Sequence, residues 1–187
     1  MSSDSKNHGG SSLSQLDPLD KKSNLTVIIE TPKGSRNKYA YDEKHRVFQL
    51  KTVLPEGMVF PHDFGFVPST LAQDGDPLDV LVLMDYQAFP GCVVPSRVIG
   101  VIEGEQQEKK KTIRNDRLLA VACASRTHAD LRHVDDLNRT FLKQVENFFE
   151  AYHAQSGSSY KTLDYKGPKH ALQLVKKSVK ANNRGAK

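Results

Sequence analysis

Asp74-Gly75-Asp76-Pro77-Leu78-Asp79-Val80-Leu81-Val82-Leu83 packs three carboxylates into its first six residues and then turns apolar without a break. Gly75 and Pro77 make the acidic part a tight turn. Val80 to Leu83, β-branched and apolar, predict a buried strand. Aspartates crowded on a turn repel one another unless a cation lies among them, and magnesium and calcium prefer such oxygen ligands. Turn chemistry alone accounts for two of the aspartates, because Asp readily hydrogen-bonds the backbone of a turn. Asp79 is different: it stands where the chain enters the strand, and a carboxylate there is costly to bury without a partner. A calcium-binding helix-loop-helix does not fit. That loop needs an oxygen ligand at its fifth position and glycine at its sixth, where this chain has Leu78 and Asp79 with a strand following.

Outward from this turn, the N-terminal side reads as short strands. Leu25 to Glu30 predicts the first, ending at Thr31-Pro32. A basic turn from Lys33 to Lys38 leads into Tyr39-Ala40-Tyr41 as a hairpin, and Phe48 to Val53 and Met58 to Phe60 predict further strands. After Val80 to Met84 comes a long apolar strand from Cys92 to Ile102, with Pro95 and Gly100 marking a bend or an edge. Residues 103–116 read as a polar excursion, and Arg117 to Cys123 as the returning strand. The period then changes. Leu137, Phe141, Leu142, Val145, Phe148, Phe149 and Tyr152 fall at helical spacing, and Gly167-Pro168 opens a second helix through Ala171, Leu172, Val175 and Val179. Short strands followed by two helices predict a mainly β protein: a closed or nearly closed barrel with helices packed on its outside.

The 187 residues predict one folded domain over 24–179, between a disordered polar tail at 1–23 and a basic tail at 180–187. The net charge of +5 comes from the C-terminus, where Lys176, Lys177, Lys180, Arg184 and Lys187 stand without an acid among them. The neutral body and the acidic turn argue against a nucleic-acid-binding module, although a barrel with a basic tail is its starting material. No apolar stretch has the length of a membrane span, and the N-terminus has no secretory core, so a cytoplasmic location is expected. Cys92 and Cys123, both in apolar surroundings, are expected to be free buried thiols.

Together these pieces resemble the soluble inorganic pyrophosphatase family. The segment from Asp74 to Asp79 is similar to that family's signature. Val27-Ile28-Ile29-Glu30, Lys38-Tyr39, Pro61 with Gly65 four residues on, Arg117 at the head of a strand, and Phe148-Phe149 before Tyr152 follow in the family's order. The resemblance implies an OB-fold-like five-stranded β-barrel flanked by two principal helices, magnesium-dependent hydrolysis of pyrophosphate or a related small phosphoanhydride, and a homo-oligomer. It implies Asp74, Asp79, Glu30 and Asp116 as metal ligands and Asp76 as the general base on the attacking water. Lys38, Arg117 and Tyr152 would be the contacts to phosphate oxygens. Residue chemistry agrees in outline, since a polyanionic substrate calls for acidic metal ligands beside basic phosphate contacts.

The chain departs from the family around its active site. Ala40 stands where a glutamate is usual, Thr52 with Lys51 beside it where an arginine is usual, Phe60 and Phe64 where tyrosines are usual, and His153 where a lysine is usual. Before Arg117 an insertion carries Glu103, Glu105, Gln106, Gln107 and Glu108. The position two before the basic residue is Asn115, and Asp116 is offset by one, which on a strand sends a side chain to the other face. These changes leave a second reading, a catalytically impaired homologue that binds phosphate compounds.

Overall fold

The computed structural model describes residues 12–108 and 111–185. Along the chain run strands β1 (Leu25–Thr31), β2 (Asn37–Asp42), β3 (Val47–Val53), β4 (Asp63–Phe66), β5 (Asp79–Leu83), β6 (Val93–Glu108), β7 (Lys111–Arg114) and β8 (Arg117–Ala122). Helix α1 (Arg139–Gln155), strand β9 (Ser159–Lys166) and helix α2 (Pro168–Gly185) complete it. β1, β4, β5, β8 and β6 hydrogen-bond in that order, and β6 returns to pair with β1, so five strands close into a ring. Every pairing in the ring is antiparallel except β5 with β8. β7 and β9 extend the sheet along β6, and β2 with β3 form a separate hairpin. The expected β architecture with two principal helices is therefore present.

Ring strands are buried on both faces, which is why they read as unbroken apolar runs. Val80 and Val82 of β5 with Leu118 and Ala120 of β8 join one apolar cluster, completed by Ala171 and Val175 of α2. Leu81 and Leu83 with Leu119 and Val121 join a second, completed by Val145 and Phe149 of α1. Asn138 caps α1 by accepting the Phe141 N–H at 2.7 Å. Pro168 opens α2, where its missing N–H would have had no helical partner. Gly65 lets β4 lie close against β1: a Cβ there would lie 2.0 Å from the Ile28 carbonyl oxygen.

Several expectations are corrected. Met58 to Phe60 is not a strand, while β4 and β9 are strands that the residue pattern did not announce. The polar excursion at 103–116 is a hairpin, because β6 runs on to Glu108 and pairs with β7. The bend expected near Gly100 is present as a register shift between Val98 and Gly100. Residues 12–23, expected as part of a disordered tail, carry defined contacts. Leu13–Gln15 forms a turn of 3-10 helix, the Ser12 and Tyr41 hydroxyls lie 3.0 Å apart, and Ser14 donates to Glu43 at 2.7 Å. Residues 1–11 of that expected tail lie outside the described residues. The expected C-terminal tail begins inside α2, which continues to Gly185. Both cysteines are free, but Cys92 is half-buried and Cys123 exposed. Among the described residues no helix is long and apolar enough to cross a membrane.

Candidate active site

β5 and β8 start side by side, and that parallel start puts Asp79 in register with Arg117. Arg117 Nε lies 3.7 Å from Asp79 Oδ2, close enough to attract but too long for a hydrogen bond. Glu30 sits at an irregularity of β1, between Ile29 and Thr31 in the pairing with β4. Its Oε1 accepts the Tyr41 N–H at 2.7 Å, and its Oε2 lies 3.7 Å from Lys38 Nζ. Lys38 stands at a second irregularity: it pairs with Thr52, whereas Tyr39 pairs with Leu50, which leaves Lys51 as the extra residue. Bulges re-aim side chains and occur often beside functional sites. Here they turn Glu30 and Lys51 toward the same space as Lys38.

That space is an open cleft of about 750 Å³, lined by Asp74, Asp76, Asp79, Glu30, Lys38, Lys51, Arg117 and Tyr152 among others. Burial pushes the Asp79 carboxyl up to about 6, against the pull of Arg117 and Lys38, with Glu30 and Asp74 adding repulsion. Partial burial likewise raises Glu30 and Asp74 above the usual carboxylate range, and burial raises the Tyr152 hydroxyl. Phe60 and Phe64 lack the hydroxyls of tyrosine, but their rings hold Lys38. Its Nζ lies 4.2 Å from the Phe64 centroid and 5.7 Å from that of Phe60, a cation–π arrangement.

All the residues expected in the site meet in this cleft except Asp116. Its Oδ1 accepts the Gly104 N–H at 3.0 Å and lies 2.8 Å from Arg114 Nη2. Asp116 instead borders a separate hollow of about 110 Å³ with Leu78 and Lys177. Its neighbour Asn115 lines the cleft and donates its amide to Gln106 Oε1 at 2.8 Å. Both residues lie in the two-residue connection between β7 and β8, where Asp116 is held away from the cleft by the Gly104 N–H and Arg114. Asp116, expected as a metal ligand, does not line the cleft that holds the other expected ligands. Lys51, Gln106 and Glu108 are cleft residues that sequence reasoning did not place there. Nothing short of the bulge register reveals Lys51.

Among the described residues no three carboxylates, imidazoles or thiols form a ready-made metal cage. The donor set is nevertheless hard and all-oxygen, and its carboxylates are raised by crowding and burial, a tension that a cation relieves. Magnesium suits such a spread set because it keeps waters and takes one or two carboxylates together with substrate oxygens.

A closed OB-like ring whose cleft sets clustered carboxylates beside lysine and arginine is the architecture of a recognisable hydrolase class. Within that class the chain belongs to the inorganic pyrophosphatase family, whose profile matches residues 27–183. It is 36% identical over 172 residues to an inorganic pyrophosphatase of Synechocystis, covering 90% of this chain and 97% of the relative. A soluble inorganic pyrophosphatase of Oryza sativa is 32% identical over 155 residues, covering 83% of this chain and 71% of the relative. The crystal structure of the inorganic pyrophosphatase from Thermus thermophilus superposes with a TM-score of 0.84 at 33% identity, covering 92% of this chain and 99% of that one.

Proposed function

We propose that this protein hydrolyses inorganic pyrophosphate to two phosphates and uses Mg²⁺ to do so. The observation that carries the reading is the convergence of the aspartate turn with Glu30, Lys38 and Arg117 in one cleft. Asp74, Asp79 and Glu30 would hold the metal. When bound, magnesium supplies charge neutralisation and water activation. Asp76, exposed on the turn, takes the proton of the attacking water. The water oxygen bonds to one phosphorus, the bridging P–O bond breaks, and its electron pair leaves with the second phosphate. Lys38 and the bulged Lys51 meet the phosphate oxygens as point charges, and Tyr152 donates its hydroxyl. Arg117, only 2% exposed, contributes its charge from below Asp79 and presents one edge to the cleft.

A homo-oligomer and a cytoplasmic location belong to the same reading. Exposed Tyr86 and Phe89 are consistent with a shared surface, to be checked by light scattering. The test of the activity is phosphate release from pyrophosphate in Mg²⁺, with EDTA as the control and tripolyphosphate and ATP as competing substrates. Metal-dependent release from pyrophosphate supports the proposal. Binding of pyrophosphate without release would favour the phosphate-binding homologue, a reading motivated by Ala40 and the cleft amide of Asn115.

A further inference from the structure

His153 follows Tyr152 on α1 and is only 5% exposed, beside Arg117. Arg117 Nη2 lies 2.9 Å from His153 Nε2. An arginine nitrogen only donates, so Nε2 must be the bare acceptor of a neutral imidazole with its proton on Nδ1. The surroundings suit that tautomer. Nδ1 lies 3.3 Å from Ser158 Oγ, and the Ser158 hydroxyl spends its own proton on the His153 carbonyl at 3.1 Å, which leaves Oγ to accept. Burial and the Arg117 charge both resist protonation, holding the imidazole down at about 4.

The remaining contacts of Arg117 complete a clamp. Nη1 donates to the Asn115 carbonyl at 3.4 Å, and the guanidinium carbon lies 4.1 Å from the Phe149 ring centroid and 4.4 Å from that of Tyr160. Nε, the edge toward Asp79, has no hydrogen-bond partner. An arginine beside a carboxylate ordinarily closes into a bidentate pair that occupies both oxygens. Here the ring sandwich, Asn115 and His153 hold the guanidinium at 3.7 Å, where it attracts Asp79 without capping it.

We propose that His153 is a positioning residue: by accepting from Nη2 it keeps Arg117 from closing on Asp79, and so leaves the Asp79 carboxylate open to a divalent cation. This rests on the reading of the cleft as a magnesium-dependent pyrophosphatase site. Losing the acceptor frees Nη2 to swing onto Asp79 and compete with the metal.

The test compares His153→Leu, which keeps bulk and removes the acceptor, with His153→Gln, whose side-chain oxygen can accept in its place. Mg²⁺ binding is followed by calorimetry and turnover at limiting Mg²⁺ by phosphate release. For Leu, Mg²⁺ affinity falls about tenfold or more, as for other residues that orient a metal ligand. Its kcat at limiting metal falls in parallel, while the KM for pyrophosphate stays within about twofold. Gln restores both to within about threefold. In ¹⁵N-histidine spectra of the wild type at neutral pH, His153 shows the Nδ1–H tautomer. An Nε2–H tautomer or an imidazolium, or a Gln variant as impaired as Leu, or Mg²⁺ affinity unchanged in a folded Leu variant, overturns the proposal. A wild type that binds Mg²⁺ but releases no phosphate would sink the pyrophosphatase reading alone, because the tautomer and the calorimetry still decide the clamp.

Discussion

The strand pair β5–β8 and the hairpin β6–β7 border the same cleft, yet they deliver their side chains by different physics. β5 and β8 are buried on both faces, so a one-residue slip would have to repack two apolar clusters at once. That rigidity fixes Asp79 opposite Arg117. β7 is polar and largely exposed, and no core pins it. In the connection that follows it, the outcome is an amide in the cleft, from Asn115, and a carboxylate outside it, from Asp116. A functional side chain at the mouth of an apolar strand is thus located by burial, whereas one on the short connection after a solvated hairpin is located by a local backbone path that composition does not encode.

The contrast is broken most directly by paired substitutions. Asp79→Asn should lower turnover by about a hundredfold or more, while Asp116→Asn should leave it within about twofold. Equal losses in phosphate-release assays would mean that Asp116 does reach the cleft. Next in size is the pH response of the β8 side. Unfolded histidine takes up a proton near 6.5, whereas His153 in the fold does so only at about 4, so the unfolded state binds more protons between those values. The contribution is full above pH 6.5 and lost as pH falls toward 4, by up to about 3 kcal/mol. Urea melts across that window should show a shallower loss for His153→Gln than for the wild type.

Gly65→Ala should cost about 2 to 3 kcal/mol, because the new methyl meets the Ile28 carbonyl of a rigid ring strand. An unchanged midpoint in chemical denaturation would remove that constraint on the ring. The smallest expected effect belongs to Asn115→Asp, which adds a carboxylate where the amide now lies. It should tighten Mg²⁺ by a few-fold, about 1 kcal/mol or less, as read by calorimetry.

What was legible in the sequence follows the same division. Val80 to Leu83 announced a core strand through composition, and Asp79 announced itself as a carboxylate at a place that burial would penalise. The helices were visible in the spacing of Phe141, Val145, Phe149 and Tyr152, and α1 and α2 are where that spacing put them, within a few residues. Glu30, Lys38 and Arg117 were found by resemblance, since a lone acid at a strand end or a lysine on a turn has no distinguishing pattern. β9 was missed because its solvent-facing residues hide the period, with only Tyr160 fully buried along it. Lys51 reads in the sequence only as the neighbour of Thr52, because the bulge that delivers it depends on the pairing of β2 with β3.

The measurement that bears most directly on the cleft is the initial rate of phosphate release from pyrophosphate in Mg²⁺ by the wild type beside Asp76→Asn. The expected result is robust, EDTA-sensitive release by the wild type and a fall of about a hundredfold or more in the variant, with Mg²⁺ affinity retained because Asp74, Asp79 and Glu30 are intact. No release by the wild type above a protein-free control, or equal rates in the two proteins, would contradict catalysis at the aspartate turn.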